Sequence, residues 1–369
     1  MANFSYTAGI PIFGVQFTHD DNLVLAGGGG AGGSGVPNKI AIYKVNRANK
    51  VLDLFVEKQL DDKEEDAPMS LCAHPKEPIL ACGINSSLKK IEAGENQNSR
   101  IFEYSDTGLK CVKKKCTLAS KDPVDYQRAV RFNKDGTTIV TGGTDGVVAI
   151  LNYPDLTASN SAIQFKGHEI LDLDVSEDGE HIAAVSSQNL WIIDAKTGKV
   201  LEVITNPVFN KKKRFEFRKA RFGNGLFSKI LYTVVNGDKN QKPFVCKWDS
   251  TTWTRSRTMT IGSKPITACA ISPDGKLIAF GSADMCVRIC NGSTLKVLMT
   301  IPKAHTLPVT ALAFNRDASL LVSGSADGTC NVIFIPKTFP KNNNFAMLVM
   351  ALLFLFLAVT IQIYQIYKV

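Results

Sequence analysis

The chain reads as an all-β protein: a seven-bladed β-propeller over residues 1–336, with one transmembrane helix at residues 345–367. Two observations predict this. A strand–turn–strand unit recurs seven times, and an uncharged apolar run lies near the C-terminus. Length alone would suggest two domains, but a propeller of this size is one domain, so the repeats decide the organisation.

Each unit is an alternating strand ending on an apolar anchor, a turn with Asp or Gly, and a second apolar strand. The anchors are Phe17, Ala73, Phe132, Val175, Phe222, Ile271 and Phe314, spaced 43 to 59 residues apart. After Phe132 comes NKDGTTIVTGG, after Val175 SEDGEHIAAVS, after Ile271 SPDGKLIAFGS, and after Phe314 NRDASLLVSGS. Period-2 patterning broken by Asp-Gly chemistry is the signal for hairpins. A third strand follows in each unit, for example VVAILNY at 147–153 and NLWIID at 189–194.

A repeat of this length with four short strands resembles the WD-type propeller blade, over residues 1 to about 335. The second and fifth units are long, and the Trp-Asp signature is read in none of them. In the seventh, His305, Ser323 and Asp327 sit where WD repeats keep a structural hydrogen-bond network. That unit offers only three strands, near 309–315, 319–324 and 330–335. Residues Asn3 to Ala8 are therefore expected to supply the fourth and close the ring, since an open propeller would leave strand edges unpaired.

Blade connectivity also sorts the loops. The outer-to-inner links between blades and the hairpins joining second to third strands share one face; the remaining links share the other.

Residues 345–367 read FAMLVMALLFLFLAVTIQIYQIY, without charge, Pro or Gly. At ~1.5 Å per residue the run spans ~34 Å, enough for a ~30 Å hydrocarbon core. Tyr364 and Tyr367 fall where an aromatic belt lies. Residues 337–344 are the predicted linker and 368–369 a lumenal tail. MANFSYTAGIP at the N-terminus has neither the basic region nor the apolar run of a secretory signal. Lys337 and Lys341 before the span agree with a propeller in the cytosol.

Nine cysteines at scattered positions, with no CxxC, argue against a disulfide framework or zinc site and for a reducing compartment. The sequons at Asn3, Asn85 and Asn291 would then be silent. The formal charge is +9, with basic runs Lys113–Lys115 and Lys211–Arg214. Such runs suit an anionic membrane, an acidic partner or nucleic acid, or simply a solvated loop. A nuclear DNA-binding role conflicts with the anchor, so no nucleic-acid partner is expected. No nucleophile–base constellation or cofactor motif supports a hydrolytic or redox enzyme.

The most informative segment is AGGGGAGGSGVPNKI at 26–40, between two strands of the first unit. Seven of the nine residues Gly27 to Gly35 are glycine. Ordering them would cost roughly 10 kcal/mol of conformational entropy, so the loop is either floppy or organised by something outside the chain. A phosphate cradle on Gly28, Gly30 and Gly33 is rejected, because that motif needs a helix behind it and a strand follows. A disordered hairpin tip and a cation nest remain. Glycines permit positive φ, so carbonyls of Gly28, Gly29, Gly30, Ala31, Gly33 and Gly35 can converge on a weakly hydrated monovalent ion. Val36-Pro37-Asn38 ends the loop with an apolar residue, a fixed φ and an amide, which suits a probe for a partner's pocket.

GGGGAGGSGVPNK in the first blade, a seven-bladed head and a single C-terminal span resemble the endoplasmic-reticulum exchange factor family of the COPII pathway. The resemblance implies GDP–GTP exchange on a SAR-type small GTPase, regulatory rather than enzymatic. It implies that this loop binds potassium (K+) and contacts the GTPase, since the family's Gly-Ile-Pro-Asn ending matches Gly35-Val36-Pro37-Asn38. Asn38, Val36 and Pro37 then carry exchange. Pro68, in the link to the second blade, resembles a family position important for activity. His305, on the same face, is either a contact or part of its blade's hydrogen-bond network; His168 is read as structural. The alternative is a trafficking scaffold of the same fold without exchange activity.

Overall fold

The computed structural model describes residues 3–32, 34–61, 63–206, 215–238, 241–339 and 353–361. The chain divides into two compact units, Met1–Ile335 and Pro336–Val369. The first is a propeller of seven antiparallel sheets.

All seven anchors end an innermost strand: Ile12–Phe17, Ser70–Ala73, Gln127–Phe132, Asp172–Val175, Phe215–Phe222, Ile266–Ile271 and Val309–Phe314. These strands touch their neighbours around a closed ring. The turns behind the anchors close as their composition predicts. Asp20, Asp178 and Asp274 each accept a hydrogen bond from the Ser or Thr two residues earlier, at 2.5–2.7 Å. Between sheets the core is apolar; Leu23, Leu25, Tyr43, Val322 and Val332 form one buried cluster joining the first and seventh blades.

Ring closure occurs as expected. Phe4–Thr7 pairs antiparallel with Thr329–Phe334, in the register Phe4↔Val332 through Thr7↔Thr329. The third blade's outer strand is split into Thr157–Ala158 and Ile163–Gln164, both on Val147–Asn152.

The reading that no unit carries a Trp-Asp pair is wrong for the fifth blade. Trp248 and Asp249 end its third strand, Phe244–Asp249, and Trp248 Nε1 donates to Thr233 Oγ1 at 2.9 Å. The second blade is long because Gly83 and Ser99 are separated by an insertion containing the helix Leu88–Glu92. All nine cysteines are free thiols.

In the second unit residues 353–361 are helical and exposed. Among the described residues no helix is long and apolar enough to cross a membrane. Most of the expected span at 345–367 lies outside the described residues, as does the basic run Lys211–Arg214.

Candidate functional site: the glycine loop and the link beside it

The glycine loop joins Leu23–Gly27 to Lys39–Asn46, whose last paired residues are Gly27 and Lys39. Its entry is fixed by Gly28 N–H, which donates to Pro11 O at 3.0 Å. Its exit is fixed by Asn38 O, which accepts from Leu60 N–H at 2.8 Å.

The Asn38 side chain is fully buried. Its Oδ1 accepts from Gly30 N–H at 2.9 Å, while its Nδ2 donates to Gly30 O and to Glu65 O, both at 3.3 Å. One amide thus ties the loop to itself and to the link between the first and second blades. Glycine is required for this: a Cβ on Gly28 would lie 2.2 Å from Asn38 Oδ1. Gly30 adopts φ +84°, which a side chain would strain. The choice between a floppy loop and one ordered from outside is therefore incomplete, because the chain's own asparagine supplies the order at both sides of Gly30.

Val36 is half-buried against the core cluster between blades seven and one, and Pro37 is also half-buried. The expectation that Val36 stands free is corrected: Val36 N–H donates to Ser34 Oγ at 3.3 Å, and the side chain folds inward. The exposed part of the tip is Ala31, Gly32, Ser34 and Gly35; Gly29 is half-buried and Gly33 lies outside the described residues.

Pro68 is buried beside the loop's anchor point. Just ahead of it, Glu65 pairs with Ser86 across an isolated bridge, and Asp66 N–H donates to Asn85 O at 3.0 Å. The Glu65 carboxylate receives Arg100 Nη1 in a close contact and faces Lys114 Nζ at 3.6 Å. Arg100, 1% exposed, also donates to Gln97 O and Asn85 O. Asn96 and Asn85 bond across the insertion at 3.1 Å, and Lys90 pairs with Glu64. The second-blade insertion is thus fastened to the same link that the glycine loop grips. A cleft of about 310 Å³ opens among Glu64, Glu65, Lys90, Gln97, Arg100 and Lys114.

Glu65 and Asp66 were missed in the sequence reading. The signal was present as an acidic run, Asp61 to Asp66, two residues before Pro68. For a cation, the relevant oxygens are the carbonyls of Gly30 and Glu65, which converge on one amide, with the Asp66 carboxylate beside Gly30. Oxygen is the ligand type a hard alkali cation takes, but Asn38 Nδ2 stands where the two carbonyls converge, so a cation there has to displace that amide.

His305 stands apart from this group. It is 6% exposed, with Nδ1 at 2.9 Å from Thr329 Oγ1, Nε2 at 2.8 Å from Ser323 Oγ, and Asp327 Oδ2 at 3.5 Å. Ile333, paired with Leu321 as Trp248 is with Leu231, stands in the tryptophan's place, and Asn331, paired with Ser323, donates to Ala304 O. Every one of these partners lies in the seventh blade or the link into it, so the network reading describes His305. His168 packs edge-on against Trp191 at 5.3 Å.

A family model described as WD domain, G-beta repeat matches residues 113–152, 253–291 and 295–333. Each match runs from one blade's outer strand to the next blade's third strand. The guanine nucleotide-exchange factor SEC12 of Candida glabrata is 28% identical over 351 residues, covering 92% of this chain and 73% of that protein. The mouse guanine nucleotide-exchange factor SEC12 is 25% identical, covering 81% and 80%. SED4 of Candida glabrata is 28% identical over 81% of this chain, which spans only 29% of that longer protein. The solved structure titled Crystal Structure of Mitotic Checkpoint Complex contains a chain of the same fold, with a TM-score of 0.68 at 14% identity, covering 90% of this chain and 91% of that one.

Proposed function

We propose that the chain is a guanine nucleotide-exchange factor of the SEC12-like family of WD-repeat proteins, which its similarity to the SEC12 proteins and its WD repeats support. Relatives named as exchange factors point to a small GTPase as the partner. More finely, we infer a SAR-type GTPase, a role in starting COPII coat assembly for endoplasmic-reticulum-to-Golgi transport, and a cytosolic propeller on the endoplasmic-reticulum membrane. Residues 345–367 would be the anchor.

The observation that carries this reading is the Asn38 clamp on the glycine loop. Exchange needs no covalent chemistry; it needs a surface that binds the nucleotide-poor GTPase better than the nucleotide-bound form. A surface that wedges must be ordered before docking, or the binding energy is spent on ordering it. Asn38 performs that ordering from below, leaving Ala31, Gly32, Ser34 and Gly35 facing outward. Asn38 and Pro68 are buried, so in this mechanism they position the loop rather than touch the GTPase.

Potassium, expected on the carbonyls of the glycine loop, would find further oxygens in the Glu65 carbonyl and the Asp66 carboxylate, with the Gly30 and Glu65 carbonyls shared with or released by Asn38 Nδ2. When bound it supplies positive charge that offsets the neighbouring acids and draws the carbonyls together.

The test is release of a fluorescent GDP analogue from a SAR-type GTPase by the full chain. We expect acceleration in potassium, less in lithium, and little with Asn38→Ala. Acceleration equal in all three removes the loop mechanism. No acceleration at all, with the GTPase still bound, identifies the scaffold instead.

A further inference from the structure

The central channel carries an uneven charge. Its wall on blades one, six and seven is neutral where Gln16, Thr267 and Thr310 face it, whereas blades three, four and five bring ionic groups together. Blade four supplies Asp172 and Asp174 from the strand Asp172–Val175. Blade three supplies Arg128 and Arg131, and blade five Arg218, Lys219 and Arg221.

The two carboxylates are used up within the wall. Asp172 pairs closely with Arg221 and lies 3.8 Å from both Arg131 and Lys219. Asp174 lies 3.3 Å from Arg131 Nε and accepts from Phe222 N–H at 2.8 Å. Asp172 also accepts from Ala220 N–H at 3.2 Å. Five cations therefore face two carboxylates, and the surplus lies at one end. The ends of the innermost strands that carry Arg128 and Arg218 open on the face of the glycine loop. Among the described residues Arg128 pairs only with the exposed Glu169, at 3.4 Å. Among the described residues Arg218 has no ion pair and no side-chain hydrogen bond.

Keeping a guanidinium half-buried without a partner is costly, and an arginine beside another arginine more so. Burial, then the charge of Arg128, lowers the Arg218 pKa; burial pushes Lys219 down to about 8 despite Asp172. The space these groups enclose is about 310 Å³. Two guanidinium forks and an ammonium match the several oxygens of a phosphate better than one carboxylate, which one fork satisfies.

We propose that the channel mouth on the glycine-loop face is a binding site for a small, multiply charged phosphate anion, held by Arg128, Arg218 and Lys219. This does not depend on exchange activity. The cation surplus is the attraction, and the seam made by Asp172 and Asp174 holds Lys219, Arg221 and Arg131 in place.

The experiment is calorimetric titration of the full chain, in detergent, with inorganic pyrophosphate and with inositol hexakisphosphate. One saturable site is expected, weakened about tenfold or more by Arg218→Ala and by Arg128→Ala, and unchanged by Lys110→Ala on an outer strand. Arg218 has no partner to lose, so Arg218→Ala keeps its melting temperature, which separates a lost ligand from a lost fold. Displacement of the probe by vesicles containing a phosphatidylinositol phosphate assigns the site to a lipid headgroup; no displacement assigns it to a free solute. Absence of saturable binding to either probe, or equal binding by the parent and both arginine variants, overturns the proposal.

Discussion

Asn38 and Gly30 bond to one another twice, Gly30 N–H to Asn38 Oδ1 at 2.9 Å and Asn38 Nδ2 to Gly30 O at 3.3 Å. The side chain behaves as a short strand segment laid across the loop. Removing it in Asn38→Ala unmakes three hydrogen bonds around a buried site, at a cost of about 1–3 kcal/mol. For a domain of this size that lowers the melting temperature by only a few degrees. Exchange should fall more than tenfold, because the exposed tip loses its support. Asn38→Asp keeps the acceptor for Gly30 N–H but sets a carboxylate against two carbonyl oxygens, so it should fail as well. Nucleotide release and thermal melting, measured side by side, check this. Full exchange by Asn38→Ala would show that the clamp is irrelevant.

Arg100 and Glu65 form the joint between the second-blade insertion and the link that Asn38 grips. With Arg100 1% exposed and the Glu65 side chain 16%, the pair is largely withdrawn from water. Arg100→Met leaves the Glu65 carboxylate with Lys114 and the Asp61 N–H and should destabilise by about 3–5 kcal/mol. Glu65→Gln keeps the backbone carbonyl that Asn38 uses, and Arg100 retains Gln97 O and Asn85 O, so the loss should be smaller. Denaturant midpoints at constant slope give both values. An unchanged midpoint for Arg100→Met would mean the joint contributes nothing.

The ring was legible because each blade repeats the same local chemistry. An apolar anchor ends every inner strand, and in the first, fourth and sixth blades Asp two residues past a Ser or Thr closes the turn, so Phe17 through Phe314 could be placed without tertiary knowledge. Closure was legible as a missing fourth strand. The glycine loop was legible only in part. Asn38 after a glycine run marks an amide with work to do, but its inward direction depends on the Glu65 carbonyl, and a carbonyl leaves no trace in residue type. Val36 was misread for a similar reason: the cluster it packs against joins its own blade to blade seven, nearly 300 residues along the chain. His305 could be read as contact or network until Thr329 and Ser323 were seen on its two nitrogens. In the long fifth unit, Trp248-Asp249 escaped the repeat pattern although its indole is hydrogen-bonded as such a residue requires.

The seventh blade should weaken on acidification. Burial pushes the His305 imidazole below its usual range, so the folded form resists a proton that the unfolded chain accepts near pH 6.5. Stability from this group therefore falls as pH drops below about 6.5. Burial would raise the Asp327 carboxyl, but hydrogen bonds from Thr329 and Thr306 and the neighbouring His305 hold it at about 2. Its contribution is present above pH 3.8 and is lost between 3.8 and about 2. His74, also lowered by burial, adds a slope of the same sign. Melting temperature between pH 7.5 and 5 should thus fall less steeply in His305→Asn than in the parent. Parallel slopes would refute a buried neutral His305.

Ring closure gives the last prediction. Phe4–Thr7 covers the edge of Thr329–Phe334, and Tyr6 packs edge-on against Tyr43 at 5.2 Å, tying that outer strand to the first blade. Deleting residues 1–8 leaves a six-residue strand whose far edge has no partner. Such an edge recruits another chain. The truncated protein should therefore self-associate as concentration rises and melt at a lower temperature, while Tyr6→Ala, which keeps the backbone pairing, should stay monomeric and lose stability through the lost ring contact. A synthetic peptide of residues 1–9 should restore the monomer, since it can refill the same register. Light scattering after gel filtration reads all three states. A truncated chain that remains monomeric with its melting temperature intact would mean that the N-terminal strand is not what closes the ring.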